Sequence, residues 1–125
     1  MKAKGFTLVE LLVVMAIMAV LLTVALPRYF NSVERSREVA LQQSLNVVRD
    51  AIDKYYGDRG KYPESLSDLV QARYLRSLPV DPVTGTGDTW VIVPPPAGSP
   101  GGGGMYDLRS GAPGKTADGK SFSEL

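Results

Sequence analysis

Near its start the chain reads FTLVELLVVMAIMAVLLTVAL over residues 6–26, an apolar run with one charged side chain, Glu10. As a helix, a run of this length crosses the roughly 30 Å of hydrocarbon in a lipid bilayer. A carboxylate inside that hydrocarbon costs on the order of 2 to 3 kcal/mol unless a partner compensates its charge. The run therefore predicts a transmembrane helix in which Glu10 needs a partner.

Basic residues precede the apolar run, with Lys2 and Lys4 close to its first residue. Basic residues collect on the cytoplasmic side of a spanning helix, which predicts a cytoplasmic amino terminus. A cleavable secretory signal has a shorter apolar stretch, followed by a cleavage site of small residues. Here Pro27 and Arg28 follow instead, which favours an apolar helix that stays in the protein.

The junction KGFTLVELL at residues 4–12 carries a more specific signal. It resembles the processing site of type IV pilins and of type II secretion pseudopilins. The resemblance implies that a membrane aspartic peptidase, the prepilin peptidase, cleaves between Gly5 and Phe6 on the cytoplasmic side and methylates the Phe6 amine. Residues 1–5 would then be a leader peptide, and residues 6–26 would stay as the transmembrane and polymerisation helix.

Glu10 has two explanations. In the first, Thr7 and Glu10 form a capping box at the start of the helix, which together with the helix dipole contributes about 1 kcal/mol. That contribution is smaller than the burial cost. In the second, cleavage creates a cationic amine on Phe6, and Glu10 of one subunit pairs with the Phe6 amine of its neighbour. We favour an assembly role for Phe6 and Glu10, with capping alone as the alternative.

Pro27 lies where the apolar run ends. It removes one main-chain hydrogen bond from a helix, which predicts a kink at this position. The resemblance implies that the helix opens here in an assembled filament. Ala25 and Leu26 are the residues expected to leave helical geometry there.

Residues 27–57 predict an amphipathic continuation of the helix, because apolar side chains recur at steps of three and four. We expect this apolar stripe to pack against the carboxy-terminal part of the chain. Gly57 and Gly60 are predicted to end the helix, with Asp58 and Arg59 in the turn. The stripe consists of Leu41, Leu45, Val48, Ile52 and Tyr55.

Residues 58–125 predict a small globular head. A short helix is expected over residues 64–70, and two strands, rich in β-branched and aromatic residues, over 89–93 and 105–108. A Pro/Gly-rich loop at 94–104 separates the strands and is expected to be mobile. The predicted fold is α+β and pilin-like: a long amino-terminal helical spine, transmembrane in its first half, packed against a small antiparallel sheet.

The head carries a second, narrower resemblance, to the G-type major pseudopilin of type II secretion. Four motifs occur in the order found in that subunit: RGKYP at 59–63, YL at 74–75, LP at 78–79 and DP at 81–82. This order favours a pseudopilin over the long-loop adhesive pilins. The chain has no cysteine, which agrees, because many major pilins close a carboxy-terminal loop with a disulfide.

The same resemblance implies a calcium ion that fixes the carboxy-terminal loop through oxygen ligands. The positions that match are Leu108, Ser110, Asp118 and Ser121. The chain departs from the family pattern, because Asp118 is the only carboxylate between Ser110 and Phe122, and two lysines lie in the same stretch. A calcium site and a plain Asp-Gly turn are therefore the two interpretations of this tail.

Composition narrows the function classes. The 125 residues include no histidine and no cysteine, so the commonest general base and the commonest transition-metal ligand are missing, and no catalytic residue is predicted. The 14 basic and 13 acidic residues give a net charge of +1 and are interleaved. Nucleic-acid binders need clustered basic residues instead, so no nucleic-acid partner is expected.

The sequence therefore predicts a structural subunit. The main hypothesis is a type II secretion pseudopilin that polymerises into a helical filament and drives protein export across the outer membrane. Its implied partners are the prepilin peptidase, an inner-membrane assembly platform, minor pseudopilins and lipid. The implied location is the bacterial inner membrane, single-pass, with a periplasmic head and, after assembly, a periplasmic filament. The alternatives are a major or minor type IV pilin and a monomeric, membrane-anchored periplasmic binding module.

Overall fold

A computed structural model describes residues 5–100 and 104–125 of the chain. Lys2 and Lys4, expected to hold the amino terminus in the cytoplasm, lie outside the described residues, as do residues 101–103 of the Pro/Gly-rich loop. The first element, α1, spans Leu8–Arg59. The chain divides into two units, Met1–Val33 and Glu34–Leu125. The first unit exposes its apolar side chains, whereas the second unit buries the apolar stripe of α1.

The first unit consists of the apolar part of α1. Every large apolar side chain from Leu8 to Leu26 is between 46 and 74% exposed. An 18-residue window of this helix has a mean hydropathy of 2.8, so the helix is long and apolar enough to cross a membrane. A contiguous apolar surface of this size is covered by lipid or by another protein in a stable state.

Pro27 lies inside α1, and the helix continues on both sides of it. Ala25 and Leu26 keep α-helical geometry in the single chain. The Thr23 hydroxyl donates to the main-chain oxygen of Val20 at 2.6 Å, one turn before the proline. Opening of the helix around Pro27 in a filament stays a prediction.

The second unit buries the apolar stripe of α1. All five predicted positions are between 0 and 6% exposed, so the predicted packing face is confirmed. They pack with residues from the rest of the head into one hydrophobic core. The other buried members of this core are Ala51, Leu69, Leu75, Met105 and Leu108.

The predicted end of α1 is wrong by about one turn, because the helix continues through Gly57 to Arg59. One tertiary hydrogen bond and one contact within α1 lie at this last turn. The Tyr74 hydroxyl donates to Asp58 Oδ2 at 2.5 Å, and the Arg59 guanidinium lies 4.9 Å from the centre of the Tyr55 ring. The hydrogen bond to Asp58 and desolvation raise the pKa of Tyr74. Gly60 then ends the helix with a φ of +70°, which a glycine adopts without strain.

The head adds a short helix and a two-stranded sheet. Helix α2 spans Leu66–Gln71. Strands β1 (Trp90–Val93) and β2 (Asp107–Ser110) pair antiparallel, with Trp90 opposite Ser110 and Val93 opposite Asp107. A 3₁₀ turn, η1, covers Phe122–Glu124.

The second strand begins two residues later than predicted. Met105 is completely buried in the core, and its N–H donates to the main-chain oxygen of Pro63 at 2.9 Å rather than to β1. The apolar character that predicted a strand at Met105 therefore reflects core packing. The residues that pair with β1 come after Met105 and begin at Asp107.

Candidate assembly site at the amino terminus

Gly5, Phe6 and Thr7 precede the first helical turn and have no regular secondary structure. All three are exposed, and the Phe6 side chain is 85% exposed. A peptide bond must leave helical geometry to enter a peptidase active site, and the bond between Gly5 and Phe6 already lies outside α1. The predicted cleavage position is therefore sterically accessible in the single chain.

Thr7 and Glu10 form the predicted capping box. The Thr7 N–H donates to Glu10 Oε2 at 3.3 Å, and the Glu10 N–H donates to Thr7 Oγ1 at 3.1 Å. The N–H of Leu11 donates to the main-chain oxygen of Thr7 at 3.1 Å, which is the first helical bond. The two reciprocal bonds satisfy N–H groups at the helix start that have no partner within the helix. The spacing of Thr7 and Glu10 in the sequence is thus explained by local geometry.

The cap gives the Glu10 carboxylate no cationic partner. Both of its bonds join a main-chain N–H to a side-chain oxygen. Arg28 is the next basic residue along the chain, and on a continuous helix it lies about 27 Å from Glu10. An ion pair within the helix is therefore impossible. The helix itself therefore offers Glu10 no cation, and Lys2 and Lys4, which precede it, lie outside the described residues.

Two of the predicted calcium ligands lie on β2, and their oxygens already have partners. Arg49 Nη2 donates to the main-chain oxygen of Leu108 at 3.2 Å. The Ser110 hydroxyl donates to Asp81 Oδ2 at 2.5 Å and accepts the N–H of Ala112 at 3.1 Å. Both Ser110 and Asp81 are completely buried.

The other two predicted ligands lie in the tail. Asp118 is exposed in a tight turn, in which the Gly119 N–H donates to the main-chain oxygen of Thr116 at 3.0 Å. Gly119 has a φ of +85°, the conformation that an Asp-Gly turn supplies. Ser121 Oγ lies 2.9 Å from Ser123 Oγ. Over the ranges 5–100 and 104–125, no group of three or more His, Cys, Asp or Glu side chains is placed to hold a metal ion.

Arg49 and Asp81 are important residues that the sequence did not single out. Arg49 lies on a polar face of α1 beside the apolar stripe, where a solvated charge is the usual interpretation. Asp81 belongs to an Asp-Pro pair, which reads as a turn. Burial of Asp81 and the partners of Arg49 both depend on residues distant in the sequence, so no local pattern identified them.

Known proteins resemble this chain both at its amino terminus and along most of its length. Residues 1–26 match the family described as prokaryotic N-terminal methylation motif. The chain is 30% identical to type II secretion system core protein G of Escherichia coli (strain K12) over 128 aligned residues, which cover 90% of the chain and 83% of that relative. The chain therefore belongs to the family of this core protein. It is a pilin-like protein, and Gly5, Phe6 and Glu10 lie within the residues that match the methylation motif.

Other relatives of this pilin-like chain come from both secretion systems and pili. Type II secretion system core protein G of Klebsiella pneumoniae is 30% identical over 97 residues, covering 65% of the chain and 69% of that relative. The type IV major pilin protein PilE1 of Neisseria gonorrhoeae is 39% identical over 86 residues, but the match covers 62% of the chain and 48% of the pilin. No solved structure matches the chain.

Proposed function

We propose that this chain is a pseudopilin of a type II secretion system, a structural subunit that polymerises through its amino-terminal helix. The observation that carries the proposal is the match to core protein G along most of both chains. The fold supports it, because the exposed apolar half of α1 requires lipid or neighbouring subunits as cover. Secretion would use the filament to drive proteins across the outer membrane.

Assembly depends on the amino terminus in this proposal. The prepilin peptidase removes residues 1–5 and methylates Phe6, which keeps its cationic amine. Glu10 of one subunit then pairs with the Phe6 amine of a neighbour, so that two charges buried among apolar helices neutralise each other. The capping box holds the Glu10 side chain at the end of the helix, where a neighbouring amine can reach it.

The proposal also includes the cellular location and the partners of the subunit. Before assembly it is a single-pass protein of the inner membrane, with its amino terminus in the cytoplasm and its head in the periplasm. An inner-membrane platform lifts subunits into a periplasmic filament, and minor pseudopilins are further partners. The named relatives are a secretion core protein and pilins, which supports a structural role rather than an enzymatic one.

A type IV pilus subunit is the second candidate, and the identity with PilE1 favours it. The two candidates differ in what the cell loses when the gene is deleted. A pseudopilin mutant retains its surface pili and fails to export proteins across the outer membrane. A pilin mutant loses its surface pili and still exports proteins across the outer membrane. The shorter coverage of the pilin, 48% against 83% of core protein G, favours the first outcome.

The proposal predicts a specific mass for the mature chain. Protein purified from the membranes of its native host should lack residues 1–5 and carry the mass of one added methyl group on Phe6, because the methylation motif is intact. Intact-protein and amino-terminal peptide mass spectrometry measure both changes. Gly5→Val is the matched control and should retain residues 1–5. A native chain that still begins at Met1 would identify a simple membrane anchor instead.

A further inference from the structure

One guanidinium joins three separate parts of the head. Arg49 lies on α1, and its Nε donates to Asp107 Oδ1 at 2.8 Å. Its Nη2 donates to the main-chain oxygens of Leu108 at 3.2 Å and Leu125 at 2.8 Å. The long helix, strand β2 and the last residue of the tail therefore meet at a single side chain. The side chains of Arg49 and Asp107 are 31 and 26% exposed.

These partners are the kind that a calcium ion binds: a carboxylate and main-chain carbonyl oxygens. A guanidinium has only donors and stays protonated at any ordinary pH. It therefore binds such oxygens as a permanent cation, and it repels a second cation that approaches them. Leu108, the first predicted calcium ligand, is one of the residues that it binds.

The rest of the tail is fixed without a metal as well. Arg109 Nη1 donates to the main-chain oxygen of Ser123 at 3.2 Å, so a second arginine holds the same segment. Asp81 accepts the Ser110 hydroxyl through Oδ2 and the Val83 N–H through Oδ1 at 2.8 Å. Ser110, the second predicted ligand, is thus directed toward a buried carboxylate.

We propose that Arg49 fixes the tail to β2 and α1 in the role that the family resemblance assigns to calcium, and that this head is stable without a metal ion. A charge-assisted fork of three hydrogen bonds replaces the metal coordination. The inference concerns the fold of the head alone and does not depend on filament assembly.

The test uses the full-length chain in a mild detergent. Thermal unfolding is recorded in excess EGTA and in millimolar calcium chloride, and amide hydrogen exchange is followed over residues 107–125. The variants are Arg49→Met, which keeps the aliphatic stem, and Asp107→Asn, which removes one charged partner. Arg35→Met, an exposed arginine of the same helix, is the matched control for loss of one positive charge.

Wild-type protein should unfold at the same temperature in EGTA and in calcium. Arg49→Met should lower that temperature by on the order of 5 °C and raise exchange in residues 107–110 and 122–125 by about tenfold or more. Asp107→Asn should show a smaller change, and Arg35→Met none. A stabilisation of several degrees by calcium in the wild type would overturn the inference, and so would an Arg49→Met variant that keeps wild-type exchange. If Arg49→Met fails to fold, the calcium comparison and Asp107→Asn still decide.

Discussion

Replacing Glu10 with glutamine is expected to abolish filament assembly while the start of the helix stays capped. A glutamine side chain still offers an oxygen to the Thr7 N–H. The main-chain N–H of residue 10 still donates to Thr7 Oγ1. What disappears is the negative charge that, in the proposed assembly, faces the Phe6 amine of the neighbouring subunit. Leaving one member of a buried ion pair without its partner costs about 3 to 5 kcal/mol, which weakens each subunit contact by on the order of a hundredfold or more.

Thr7→Val is the matched control for this experiment. It has nearly the same shape as threonine but removes the oxygen that accepts the Glu10 N–H at 3.1 Å, and it keeps the carboxylate. Loss of the cap costs about 1 kcal/mol, so filaments should still form. Electron microscopy and sedimentation of sheared filaments measure assembly in both variants. If Glu10→Gln assembles like wild type, or if Thr7→Val fails just as completely, capping is the main role of Glu10.

Leu45→Ala is expected to cause a large loss of stability in the head. Leu45 is completely buried in the hydrophobic core of the head. Truncating a buried leucine removes apolar contacts and leaves a cavity, at a cost of about 2 to 5 kcal/mol. Small domains are stable by only about 5 to 15 kcal/mol, so much of the free energy of unfolding would be lost.

Val47→Ala provides the comparison, because Val47 lies two residues further along the same helix and is 54% exposed. Its truncation should change the free energy of unfolding by about 0.5 kcal/mol or less. Urea unfolding of the full-length chain in detergent, followed by Trp90 fluorescence, measures both. Trp90 reports on the head, because its indole N–H donates to the main-chain oxygen of Pro79 at 2.9 Å. Equal effects of the two substitutions would contradict the packing described for α1.

Features that depend on neighbouring residues were predictable. The capping box follows from the spacing of Thr7 and Glu10, and the buried face of α1 follows from apolar residues at helical intervals. The end of α1 was not predictable in the same way. Gly57 disfavours a helix locally, whereas Asp58 in the last turn accepts a hydrogen bond from Tyr74, which lies 16 residues further along the chain.

The interactions that fix the tail could not be predicted from the sequence either, because they join residues that are distant along the chain. Arg49 is 58 residues from Asp107 and 76 from Leu125, and Asp81 is 29 residues from Ser110. Periodicity and short motifs carry no information about such pairs. The four predicted calcium positions came from the order of residues in a family, and that order does not show which oxygens a nearby arginine already binds.

The central claim is that Glu10 and the Phe6 amine pair between subunits, and isotope labelling tests it most directly. One pool of subunits carries ¹⁵N-phenylalanine and a second carries glutamate labelled with ¹³C at the side-chain carboxyl. Filaments are assembled from the mixture. Of the three phenylalanines, only Phe6 provides an amine, which solid-state NMR separates from amides by chemical shift. The account predicts dipolar coupling between this amine and a carboxylate within about 4 Å, the distance of an ion pair. Coupling that appears only when both labels are in the same chain would place the pair within one subunit and contradict the account.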